Sequence, residues 1–190
     1  MRFKRSSFAS LAFALLLLPA VSAGPVWAAP RPAPRVKIVT QFGDIIVVLD
    51  EKRTPLTTAN FLRYVDAKFY DGGTFFRVIP GFVIQGGNRP RENEAADPKI
   101  ALETPVKTGV KNTDGAISMA RTNDPNSATS EFFICDGDQP RLDGSETEPG
   151  YAAFGHVVSG LNLVRKIARL PAQQQLLDAP VTILKIVRVR

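Results

Sequence analysis

The sequence predicts a mainly β fold: a closed antiparallel barrel of seven or eight short strands, with two helices able to plug its ends. Three observations predict it. Short alternating or β-branched runs recur from Val36 to Val189, separated by turn residues. Helical apolar stripes occur at two well-separated places only, near 54–66 and 160–170. A sheet of so many short strands exposes two unpaired edges unless it closes on itself, and closure removes them.

The first residues stand apart from that domain. Arg2, Lys4 and Arg5 precede an apolar run from Phe8 to Leu18, followed by two small-residue patterns, Val21-Ser22-Ala23 and Val26-Trp27-Ala28. This order predicts a secretory signal peptide over residues 1–29, cleaved after Ala23 or Ala28. The run is shorter than the about 20 residues a bilayer needs, so no membrane anchor is expected after cleavage. The periplasm is the expected location, with full secretion or a eukaryotic secretory compartment as alternatives. Residues 30–35, PRPAPR, read as an extended proline-rich tether. One domain over 36–190 is long enough to bury a core.

Within it, Val36–Thr40 alternates as a strand, 41–44 turns at Gly43, and Ile45–Leu49 returns as a hairpin partner. Thr54 is placed as an N-cap with Pro55 at the first helical position. Phe61, Leu62 and Val65, with Ala59 or Leu56, form the helix's apolar stripe. Asp71-Gly72-Gly73 ends that unit, and a hairpin over 74–87 turns at Pro80-Gly81. Residues 88–114 read as polar loop, with a short strand near Ile100–Glu103. Gly115–Ala120, Glu131–Cys135 and Tyr151–Val158 read as strands between polar loops. Gly160–Leu170 is the second helix, with Leu161, Val164, Ile167 and Ala168 on one face. A connector spans 171–180, and Val181–Val189 alternates to close the sheet.

Charge and composition exclude several classes. The 190 residues carry a formal charge of +6, and removal of the three cations in 1–29 leaves 21 − 18 = +3. No Lys/Arg run reads as a phosphate-binding patch, so nucleic acid is not an expected partner. One His and one Cys make no standard zinc site, so no metal is expected, and no other cofactor is implied. Cys135, in the apolar run FFICD, reads as a buried structural thiol. His156 reads as an ordinary strand residue, and no nucleophile motif accompanies it.

What remains for chemistry lies in Thr74–Gly87, TFFRVIPGFVIQGG: one cation, Arg77, and one amide, Gln85, among aromatic and β-branched residues. Polar groups on such runs must find partners or meet a ligand. A hairpin with Arg77 in solvent and Gln85 on backbone would also satisfy the pattern. The run FFRVIPGFVIQGG resembles the central motif of the cyclophilin family of peptidyl-prolyl isomerases. TPLTTANFLRYV resembles the family's first helix, and the similarity extends over Val36–Val189. It implies a closed eight-stranded antiparallel β-barrel capped by two α-helices.

By that resemblance Arg77 matches the catalytic arginine, and Gln85 the glutamine that binds substrate backbone and helps orient it. Phe82, Val83, Met119, Phe133 and Leu142 match positions at or beside the proline pocket, and Ala120 and Arg121 the edge that pairs with the peptide main chain. Tyr151 stands where many members carry His, Arg141 where they carry Trp, and Glu131 where they carry Gln. The loss of the Trp implies weaker cyclosporin binding.

One arginine, one glutamine and apolar walls do not suit hydrolysis, but they suit rotation about a bond. Peptide rotation faces a barrier of roughly 18–20 kcal/mol because resonance gives the C–N bond double-bond character. A guanidinium that hydrogen-bonds the prolyl nitrogen as it becomes pyramidal weakens that resonance. A 10⁵-fold acceleration needs only about 7 kcal/mol. The expected function is therefore peptidyl-prolyl cis-trans isomerisation in exported proteins. The expected partners are unfolded or partly folded proline-containing polypeptides, and a monomer is expected. The alternative is a non-catalytic module of the same fold that only binds proline-containing segments.

Overall fold

The computed structural model describes residues 32–88 and 98–189. The expected signal peptide, the first two tether residues and the middle of the polar loop after residue 88 lie outside these. No helix among the described residues is long and apolar enough to cross a membrane.

The strands are β1 (Arg35–Thr40), β2 (Gly43–Leu49), β3 (Thr74–Ile79), β4 (Val83–Asn88), β5 (Ala116–Met119), β6 (Phe132–Cys135), β7 (Ala153–Ser159), β8 (Ala172–Gln173) and β9 (Leu176–Val189). Their order is β1-β2-β7-β5-β6-β4-β3-β9, and β9 pairs back to β1 from Arg35↔Val189 to Thr40↔Ile183. Every pairing is antiparallel. The eight-stranded closed barrel is therefore as expected, with β8 outside it as a ninth strand on β9.

Alternation fills the interior. Val36 and Ile38 of β1, and Ile45, Val47 and Leu49 of β2, are all fully buried in one apolar core. Helix α1 (Pro55–Asp66) follows the Leu49 end of β2 and inserts Phe61 against Phe132 of β6 and Phe154 of β7, at 5.5 and 5.2 Å between ring centroids. Helix α3 (Leu161–Ala168) meets the other end of β2, where Leu163 lies beside Gly43, and buries Val164, Ile167 and Ala168. The two helices thus close opposite ends.

Three local expectations are corrected. Two helices were expected, and the described residues hold a third α-helix: α2 (Pro105–Thr108) is a single turn capped by Thr104, whose Oγ1 accepts from the Lys107 amide at 3.3 Å. One turn buries only Pro105 and leaves no periodic stripe to read. Thr54 sits at the N-cap of α1 but donates its hydroxyl to the Asp50 carbonyl. The Glu103 carboxylate takes the Leu56 and Thr57 amides instead, at 3.1 and 2.8 Å, favourably placed at a positive helix end. The connector over 171–180 is a tight β8–β9 hairpin.

Candidate active site

The site grows from the β3–β4 hairpin. Ile79-Pro80-Gly81-Phe82 is a hydrogen-bonded turn, Phe82 amide to Ile79 carbonyl at 3.0 Å. Gly81 has φ +72, which the third position of a type II turn demands and glycine supplies without strain. The turn is held from outside by the buried Asp136, whose carboxylate accepts from the Gly81 amide at 2.9 Å and whose own amide donates to the Phe82 carbonyl at 2.9 Å.

A bulge aims the arginine. Phe75 pairs with Gly86 and Arg77 with Gln85, so Phe76 is an extra residue on β3. Phe75 and Val78 consequently both face the core, three residues apart, while Arg77 is turned to the outer wall. That wall has an apolar layer of its own. Val83, Ala116, Phe133 and Cys135 are buried there, with Phe82, Ala120, Leu142 and Tyr151 packed over them.

Above this layer is a notch of about 180 Å³ lined by Arg77, Phe82, Val83, Gln85, Ala120, Arg121, Phe133, Leu142 and Tyr151. A cavity of about 150 Å³ takes a six-membered ring, so this one is the right scale for a prolyl ring. Nine of the ten site residues named from sequence converge here. Met119 does not. It pairs with Phe132 in the β5–β6 ladder and, like Phe132, points into the barrel core, whereas its neighbour in the register, Ser118, faces Phe133 on the outer side. Arg141 is exposed and does not line the notch. His156 is an exposed residue of β7. Cys135 is fully buried, and desolvation, aided by the carboxylates of Asp143, Asp114 and Asp138, pushes its thiol up to about 12.

The polar groups are oriented by one another. Gln85 donates through Nε2 to Glu131 Oε2 at 2.8 Å and accepts through Oε1 from Arg77 Nη1 at 3.0 Å. A carboxylate only accepts, so Glu131 obliges Gln85 to present its carbonyl to the arginine. On the other side of the guanidinium, Gln175 Oε1 accepts from Arg77 Nε at 3.0 Å and Nη2 at 2.6 Å. Sequence reading passed over Gln175, because a glutamine in a polar connector 98 residues from Arg77 carries no local signal.

Tyr151 is held by two side chains. It meets Phe133 edge-on at 5.6 Å, and the Arg121 guanidinium lies 4.5 Å from its ring centroid. Arg121 in turn donates to the carbonyls of Pro149 and Gly150, at 2.6 and 3.1 Å. Beneath, buried Asn112 donates to Asp143 Oδ1 from its backbone amide at 2.7 Å and from Nδ2 at 3.0 Å. Nδ2 also reaches the Tyr151 carbonyl at 3.2 Å, and the Ser118 hydroxyl donates to Asn112 Oδ1 at 2.6 Å. A second depression of about 250 Å³ shares Gln85, Ala120 and Arg121 with the notch, so an extended peptide has room to continue past it.

The sequence and the fold are similar to those of known proteins. The pattern of the family described as cyclophilin type peptidyl-prolyl cis-trans isomerase/CLD matches residues 35–190. A peptidyl-prolyl cis-trans isomerase of Acinetobacter baylyi is 40% identical over 136 residues, 72% of each chain. Peptidyl-prolyl cis-trans isomerase A of Dickeya dadantii is 38% identical over 165 residues, 86% of this chain and 85% of that one. A crystal structure of a Cryptosporidium parvum cyclophilin type isomerase, obtained in the presence of the dipeptide Ala-Pro, superimposes with a TM-score of 0.72 at 25% identity, over 82% of this chain and 99% of that one. With the family's pattern matched over residues 35–190 and relatives 40% and 38% identical, the chain belongs to the cyclophilin-type peptidyl-prolyl cis-trans isomerases.

Proposed function

We propose that Arg77 is the group that drives rotation about the Xaa-Pro bond, on proline-containing chains seated in the notch, and that the clients are exported polypeptides. One observation carries the catalytic reading: a guanidinium held at both ends beside an apolar, ring-sized notch. Of its five N–H groups, three go to Gln85 and Gln175. One hydrogen on Nη1 and one on Nη2 have no partner among the described residues and are left for substrate.

The prolyl ring sits on Phe82, Val83, Phe133, Leu142 and Tyr151, which exclude water from one side of the bond. Ala120 and Arg121 offer an edge to the peptide main chain, and Gln85 binds backbone while orienting Arg77. As the bond twists, its nitrogen lone pair leaves conjugation and becomes a hydrogen-bond acceptor. An arginine N–H aimed at that lone pair stabilises the twisted state and not the planar one, which is the condition for lowering the barrier. A charge-assisted bond is stronger where apolar walls displace water. No bond is made or broken and no proton is transferred.

The test is the isomerisation rate of a short Xaa-Pro peptide. Arg77→Ala is expected to lower kcat/KM by about a hundredfold, the scale for removing one transition-state donor. Equal rates would support a module that only binds proline segments. The export reading rests on Arg2, Lys4, Arg5 and the run Phe8–Leu18. Fractionation of cells making the full chain should place a shortened protein outside the cytoplasm, beginning at Gly24 or Ala29. A full-length cytoplasmic product would remove that reading.

A further inference from the structure

The β8–β9 hairpin turns through two residues, Gln174 and Gln175, both with positive φ, 49° and 72°. Two left-handed residues are what a two-residue hairpin of the I′ class requires, and Asn-Gly is the pair that fits it most easily. Residues with long side chains adopt this conformation at a cost. The turn is stitched to β3 next to the arginine, since the Gln175 carbonyl accepts from the Val78 amide at 2.8 Å. From that anchor the Gln175 side chain reaches Nε and Nη2 of Arg77 with a single oxygen.

We infer that Gln175 is a positioning residue for the isomerase reaction: it sets the plane of the Arg77 guanidinium. The inference rests on the catalytic reading of Arg77 above. Gln85 alone holds one terminal nitrogen and leaves the group free to swing about that contact. Gln175 grips the opposite edge, and the two oxygens together fix which hydrogens face the notch. The residues that would suit the turn better cannot do this. Glycine has no side chain, and asparagine, although at ease with positive φ, is one methylene shorter. The strained choice at 175 is thus tied to reach. A neutral amide also leaves the positive charge of Arg77 uncompensated for the prolyl nitrogen, where a carboxylate would draw it away.

The test uses the full domain with Gln175→Gly and Gln175→Asn, both of which ease the turn and so retain the fold. Both are expected to lower kcat about tenfold with KM within about twofold, while Tm stays level or rises. Exchange of the Arg77 Nε–H with water, followed by NMR, should quicken in both. A residue that merely braces the hairpin would lower Tm and kcat together, and that result would overturn the inference, as would unchanged kcat in both variants. The two readings separate cleanly. If Arg77→Ala keeps full activity, the catalytic assignment of Arg77 fails, and the inference built on it fails too. If Arg77→Ala is inactive while Gln175→Gly and Gln175→Asn turn over normally, only the role of Gln175 fails.

Discussion

Asn112→Ala tests whether the notch depends on the polar network beneath it. Asn112 is 1% exposed and joins Asp143, Tyr151 and Ser118. Its backbone amide still serves Asp143 after truncation, so that carboxylate keeps a partner. The fully buried Ser118 hydroxyl loses its acceptor and the Tyr151 carbonyl loses a donor. At about 1–3 kcal/mol for each of the two orphaned groups, the loss is about 2–6 kcal/mol. A domain of this size loses about 2–4 °C of Tm per kcal/mol, which gives a fall of about 4–24 °C. Thermal unfolding followed by circular dichroism measures it, and KM for the Xaa-Pro peptide should rise because Tyr151 loses the bond that holds its carbonyl. Asn112→Asp supplies a control of sign. It sets a second carboxylate about 3 Å from Asp143, a repulsion of about 5 kcal/mol at an effective dielectric of 20. That variant should be least stable at neutral pH and recover as acid neutralises one of the pair. A Tm within 2 °C of wild type for Asn112→Ala, or no recovery of Asn112→Asp in acid, would refute the account of the network.

Other consequences are open to direct measurement. Asp66 is held below the usual carboxylate range, chiefly by its hydrogen bonds from Arg188, with Arg188 Nε at 2.7 Å. Its contribution is present above the unfolded value of about 3.9 and is lost as pH falls through the lower folded value. Asp66→Asn should therefore flatten the acid limb of stability against pH, by well under 1 kcal/mol because both partners are half exposed, and an unchanged limb would refute it. Cys135, pushed up to about 12 and fully buried, should resist thiol reagents at pH 8 in the native protein and react on unfolding. Rapid native labelling would contradict that burial. Cyclosporin should inhibit weakly, since the exposed Arg141 offers neither an indole donor nor a flat apolar face to the notch. An inhibition constant in the nanomolar range would overturn this.

The parts of the site legible in sequence are those that follow one another in the chain. Arg77, Phe82, Val83 and Gln85 fall within nine residues, and one hairpin delivers them together, so the motif itself encodes the geometry. Phe133 and Leu142 come from other elements and were reachable only through the family resemblance. Met119 was misplaced for a reason the sequence does contain. Side chains alternate along a strand, so Met119 and Ala120 could not both face the notch, and the register with β6 settles which turns inward. Gln175 and Asn112 were invisible because their meaning lies in partners 98 and 31 residues away. Helix α2 left no trace because a single capped turn has no period. The barrel was legible as alternation, but its closure by β1 on β9 is a property of long-range pairing.

The notch sits on a thin apolar layer outside the barrel, apart from the packed interior. Its lip and floor are therefore adjustable parts on a rigid drum. Exchanging Val83 or Leu142 for a neighbour in size alters the shape offered to the client while the eight staves keep their packing. Families built this way are free to diversify in what they accept, and the same freedom lets a designer tune client choice and thermal robustness as two separate problems.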